Sequence, residues 1–121
     1  MLNIELEHTD DGYTICRPVG ELDAFTVSQF RQALAEIASK PRLVIDMSGV
    51  PFVDSAGLGA LIGGIRRARE LGGDVVVLCN RPSLIRTLRT TGFDRIVTMT
   101  ETFEEAKEAF EKQQGAGSTD K

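Results

Sequence analysis

The chain has no tryptophan, one tyrosine, one histidine and two cysteines. So few aromatic rings argue against a surface on which nucleic-acid bases stack. His8, Cys16 and Cys79 have no metal-ligand spacing, and neither metal nor catalytic residue is expected. One histidine, distant in sequence from the serine considered below, is a poor general base for a nucleophile. No stretch approaches the roughly 20 apolar residues that span a bilayer. Residues 1–10 alternate Leu2, Ile4 and Leu6 with polar residues, unlike the apolar centre of a signal peptide. A cytoplasmic protein is expected, with no membrane partner. In that compartment Cys16 and Cys79, both inside strand-like runs, read as buried reduced thiols. The net charge of −4 gives no global attraction to nucleic acid. The arginines at 66, 67, 69, 81, 86 and 89 read as solvated faces, being outnumbered by acids overall.

Phosphate-binding loops are also missing. Gly57-Leu58-Gly59 opens a Gly-x-Gly-x-x-Gly pattern, but Ile62 occupies its last position. Gly59 and Gly64 have the spacing of a P-loop pair, yet Ile65 and Arg66 replace the required Lys and Ser/Thr. No cofactor is expected. Val53-Asp54-Ser55-Ala56-Gly57 lacks the first glycine of a nucleophile elbow.

What is present is an ordinary globular composition, 41% hydrophobic and 26% charged over 121 residues, enough for one domain with a real core. Residues 2–7 alternate with period two, Asp10-Asp11-Gly12 signals a turn, and residues 13–19 return as a second strand, making a hairpin. Pro18 points to an edge or bulge at the end of that strand. A helix is predicted from Thr26, where Thr26 and Gln29 have capping-box spacing and Phe25 and Phe30 that of a hydrophobic staple. Lys40-Pro41 stops it. Apolar strands follow at 43–47 and 75–79, a helix between them ends at Leu71 before Gly72-Gly73, and a third helix runs from Pro82 to Gly92. A short strand at 96–99 and a last helix from Thr100 or Thr102 through Phe110 complete the domain. The expected fold is α/β, one domain over residues 1–112, a mixed sheet with about four packed helices. Residues 113–121 read as a disordered tail.

The chain is organised around Asp54-Ser55, where a buried strand hands over to a helix. A helix N-terminus offers unpaired N–H groups and a positive dipole end. A phosphate on Ser55 would meet a favourable field there. The plainer alternative is a helix start, with Asp54 as N-cap. Along the following helix, Leu58, Leu61, Ile62 and Ile65 share one side, and Ala56, Gly59, Ala60, Gly63 and Arg67 the other, with Gly64 near it. Glycine inside a helix costs about 0.8–1 kcal/mol relative to alanine, so Gly59, Gly63 and Gly64 together cost roughly 2–3 kcal/mol. The small face serves either a partner's backbone or close packing within the chain; the helix alone does not decide.

Asp54-Ser55-Ala56-Gly57-Leu58-Gly59, preceded by a strand and by Gly20-Glu21-Leu22-Asp23, resembles the STAS domain, and within it the bacterial anti-sigma factor antagonists. The likeness extends over nearly the whole chain, through Gly72-Gly73 and Gly92. The resemblance implies a binding protein rather than an enzyme. Its unphosphorylated form would bind an anti-sigma factor that is also a serine kinase, freeing a sigma factor. Phosphorylation of Ser55 would end that complex, and a serine phosphatase would restore it. The family often carries a second hydroxyl residue where this chain has Ala56. The partner-binding set implied is Asp23, Asp54, Ser55, Ala56, Gly57, Gly59, Ala60, Gly63 and Arg67. The alternative is a STAS scaffold or nucleotide-sensing module without a phospho-switch.

Overall fold

The computed structural model describes the backbone of residues 1–119 and the side chains of residues 1–112. The tail expected from residue 113 thus falls outside the described side chains, and residues 120–121 outside the described residues altogether. Five strands form one sheet in the order of the chain: β1 (Asn3–His8), β2 (Thr14–Val19), β3 (Arg42–Asp46), β4 (Asp74–Leu78) and β5 (Thr98–Thr100). The first pair is antiparallel and the remaining pairs are parallel, which makes the sheet mixed.

This topology dictates where the helices go. Each parallel neighbour is reached by a crossover, and crossovers are right-handed because of strand twist. Since the strands advance in one direction across the sheet, α1 (Val27–Ile37), α2 (Ser55–Glu70) and α3 (Pro82–Thr90) all land on the same face. There Phe30, Leu34, Ile37, Leu61, Ile65, Leu84 and Leu88 pack with Cys16, Leu43, Ile45, Val75 and Val77. The other face would be bare, and α4 (Phe103–Thr119) covers it, with Ala106 and Phe110 on Ile15, Val44, Val76 and Tyr13. Tyr13 lies edge-on to Phe103 at 5.7 Å between ring centres and tilted against Phe110 at 5.4 Å. β3 and β4 are therefore buried on both faces, which is why they read as unbroken apolar runs.

Three local expectations are corrected. Phe25 is 94% exposed, so no hydrophobic staple forms with buried Phe30. The capping box is not made either, because Gln29 Nε2 donates to the Leu2 carbonyl instead. Thr26 is the N-cap of α1 without a side-chain cap bond. Its hydroxyl accepts from the Asp23 N–H (3.1 Å), and Asp23 Oδ1 accepts from the Thr26 N–H (3.2 Å), a reciprocal pair three residues earlier than predicted. The fifth strand starts at Thr98 rather than residue 96. A 3-10 turn at Phe93–Arg95 keeps the Ile96 N–H bonded to the Phe93 carbonyl. Pro18 sits where β2 has already parted from β3, their register ending at Cys16↔Ile45, so its missing N–H breaks no bond to that neighbour.

Candidate functional site

Parallel strands send all their outgoing loops to one edge of the sheet, where open α/β folds place their ligands. Because β2 and β3 are neighbours, the segments that follow them lie side by side. The Leu22 N–H donates to the Phe52 carbonyl and the Asp54 N–H to the Leu22 carbonyl, both at 3.0 Å, with Leu22 and Val53 paired as a parallel bridge. The two separate sequence motifs, Gly20-Glu21-Leu22-Asp23 and Asp54-Ser55, thus become one piece of structure. Gly20 makes the exit from β2 possible. Its φ of 125° is open to glycine, and a side chain there would strike the backbone of Met1.

Buried anchors hold this edge in place. Leu22 and Val50 are fully buried. The Met47 N–H donates to Leu78 (2.7 Å), and Arg81 Nε donates to the Ser48 carbonyl (2.6 Å), tying the loops after β3 and β4 together. At the start of α2, Asp54 is extended (φ −93°, ψ −174°) and its Oδ1 accepts from the Gly57 N–H at 3.0 Å. The N-cap reading of Asp54 is thereby realised. Ser55 is the first helical residue and is exposed, and among the described residues nothing hydrogen-bonds its hydroxyl. The N–H groups of Ser55 and Ala56 lie before the helix ladder begins, beside the positive dipole end.

The residues singled out from sequence do not all reach the surface. Ser55, Gly59, Gly63 and Arg67 are exposed, and Asp23, Asp54 and Ala56 are half-buried. Ala60, 2% exposed, and Gly57 are buried, which corrects the small-residue face at Ala60 and leaves Gly57, of the implied partner-binding set, beneath the surface. α1 leans on α2 and takes Ala60 into the core. A Cβ on Gly57 would stand 2.7 Å from the Leu22 carbonyl oxygen, and one on Gly64 2.5 Å from Leu34 Cδ1. Both glycines serve packing within the chain. Around Gly59 and Gly63 a Cβ would meet nothing within 4 Å among the described residues.

Two aromatic residues at this edge had no functional reading in the sequence. Phe52 is 52% exposed two residues before Asp54, and Phe25 stands out two residues after Asp23. Phe52 borders a hollow of about 220 Å³ shared with Val53, Leu84 and Thr87. The one signal near Phe25 was the Asp23-x-x-Thr26 spacing, a turn before the helix in which the Phe25 N–H donates to Asp23 Oδ1 at 2.9 Å. Among the described residues no group of His, Cys, Asp and Glu is arranged to hold a metal ion, and no helix is long and apolar enough to cross a membrane.

Comparison with known proteins agrees with this architecture. The family model of the STAS domain matches residues 3–106. An anti-sigma F factor antagonist of Paenibacillus polymyxa is 31% identical over 99 residues, covering 79% of this chain and 84% of the relative. An anti-sigma-B factor antagonist of Listeria monocytogenes is 29% identical, with coverage of 79% and 86%. The crystal structure of an anti-sigma factor antagonist from Mycobacterium paratuberculosis superposes with a TM-score of 0.82 at 29% identity, covering 90% of this chain and 93% of the other. With its sheet order, its helix placement and its sequence all in agreement, the chain belongs to the STAS-domain family.

Proposed function

We propose that this protein is an anti-sigma factor antagonist working by partner switching in the bacterial cytoplasm. Unphosphorylated, it binds an anti-sigma factor that is also a serine kinase, which releases the sigma factor. The kinase phosphorylates Ser55, the complex ends, and a serine phosphatase resets the protein. The observation that carries this reading is the exposed, unbonded Ser55 hydroxyl at the first position of α2, on the edge where Phe25 and Phe52 are also exposed. The names of the relatives from Paenibacillus and Listeria support it.

The mechanism follows from charge. A phosphate adds about −1.5 to −2 charges at pH 7. At the N-terminus of α2 this charge is favoured by the helix dipole, so the host fold tolerates it. Asp54, already bonded to the Gly57 N–H, keeps its place and adds to the negative field. A partner packed on this edge must accommodate a dianion where a small hydroxyl stood, and the complex is lost. The switch acts on the surface, leaving the core untouched.

The test uses the wild type, Ser55→Ala and Ser55→Glu with purified host anti-sigma kinases and ATP, following intact mass and complex formation. Ser55→Ala is expected to bind and take up no phosphoryl group. Ser55→Glu adds one charge, less than a phosphate, and is expected to weaken binding partially. Modification at a residue other than Ser55, or undiminished binding by the phosphorylated protein, overturns the reading.

A further inference from the structure

The surface beyond Ser55 carries a second feature. α1 and α2 pack side by side, and between them runs a groove of about 290 Å³. Leu34 and Ala60 form its floor, Gly63 lies along one wall, and Arg31 and Arg67 stand on opposite rims. We propose that this groove receives an acidic α-helix of the anti-sigma kinase, a second anchor that rests on the partner-switch reading above.

Three observations carry the proposal. The first is charge. No carboxylate among the described residues lines the groove. Among the described residues Arg31 has no ion-pair partner, and Arg67 reaches only Glu70, at 3.5 Å with both side chains more than 60% exposed. Such an exposed pair contributes little and exchanges readily for a better one. The complement to two guanidiniums on facing rims, one unpaired and one held only by an exposed neighbour, is an element with carboxylates on both flanks.

The second is the division among the glycines of α2. Gly57 and Gly64 are explained by their contacts with Leu22 and Leu34, whereas Gly59 and Gly63 border open space. Alanine would suit the helix better at both, and nothing among the described residues forbids it. An external backbone lying close against the helix is what a missing Cβ would admit. The third is continuity. Ser55, Gly59, Gly63 and Arg67 follow one another at intervals of four, so the bare ridge runs from the switch serine into the groove. Gly63 lies about 12 Å along the helix from Ser55, within one interface. A helix is the fitting occupant because two packed helices offer grooves to another helix's ridges. They offer no unpaired backbone edge to a strand.

The experiment measures the affinity of a purified host anti-sigma kinase for the wild type, the phosphorylated protein, Gly63→Leu and the double variant Arg31→Glu with Arg67→Glu. Melting curves confirm the fold of each. In parallel, Ala35→Cys on the groove is labelled with a benzophenone maleimide, Cys16 and Cys79 being buried, and the cross-linked kinase peptide is identified. We expect at least a roughly tenfold loss for the double variant, steepest at low salt, and a comparable loss for Gly63→Leu. The cross-linked peptide should be helical with acidic residues three or four apart, and changing these to lysine should restore binding to the double variant. If Gly63→Leu does not fold, the arginine pair and its lysine rescue decide alone. Wild-type affinity in the groove variants, or a cross-link to a segment without acids, overturns the groove while leaving Ser55 as the switch. If no host kinase binds the wild type, or if phosphorylation leaves affinity unchanged, the partner-switch reading fails and this inference goes with it.

Discussion

At the scale of single residues, the glycines of α2 separate two causes that look alike in a sequence. Gly57 lets the Leu22 backbone approach α2, Gly64 leaves room for Leu34, and Gly63 faces open space. Alanine at Gly63 gains about 0.8–1 kcal/mol of helix propensity with no steric cost. Alanine at Gly57 meets backbone, which cannot swing aside as a side-chain tip can, and is expected to lose about 1–3 kcal/mol. Gly64→Ala falls between, since the end of Leu34 must move within a packed core. Urea unfolding with constant m-values measures the series, and the order Gly63→Ala, Gly64→Ala, Gly57→Ala from most to least stable is the expected result. A destabilised Gly63→Ala would show that this face packs against something within the chain. The wheel drawn from sequence could not separate these positions, because it knows the angle of a residue but not what stands opposite.

At the scale of the element, the start of α1 offers two rival pairings with different couplings. The sequence spacing favours Thr26 with Gln29, whereas the folded chain pairs Thr26 with Asp23. Double-mutant cycles with alanine at these positions distinguish them. We expect a coupling of about 0.5 kcal/mol or more for Asp23 with Thr26 and near zero for Thr26 with Gln29. The reverse result would restore the capping box. Helix existence, order and approximate limits were legible throughout, since they follow from periodicity and from Pro41, Pro82, Gly72 and Gly92. The cap chemistry of α1 was not, because Thr26 had two acceptable partners, Asp23 and Gln29. The choice depended on where Leu2, at the start of the edge strand, brought its carbonyl.

At the scale of the whole molecule, stability should respond to alkaline pH through the core. Burial pushes the Cys16 thiol from an ordinary 9.0 up to about 11, and raises Cys79 in the same direction. A group whose folded pKa lies above its unfolded value contributes stability that is complete below the unfolded pKa and is lost as pH rises towards the folded one. Cys16 therefore favours the folded state up to about its unfolded value and costs stability progressively from there to about 11. Urea midpoints of wild type and Cys16→Ala between pH 8 and 10.5 test this. The wild type should lose stability more steeply, and parallel slopes would refute it. The α/β class, the order of the elements and the junction at Asp54-Ser55 were determined by the sequence by itself, through local periodicity and turn chemistry. So was the likeness to STAS domains, through the residues of Gly20-Glu21-Leu22-Asp23 and Asp54-Ser55-Ala56-Gly57-Leu58-Gly59. Only the tertiary structure decided that three helices share one sheet face, that Asp23 and Asp54 lie on one edge, that Phe25 and Phe52 stand outside, and that Gly57 and Ala60 are buried. Those facts depend on crossover handedness and on contacts between residues far apart in the chain, which no local pattern records.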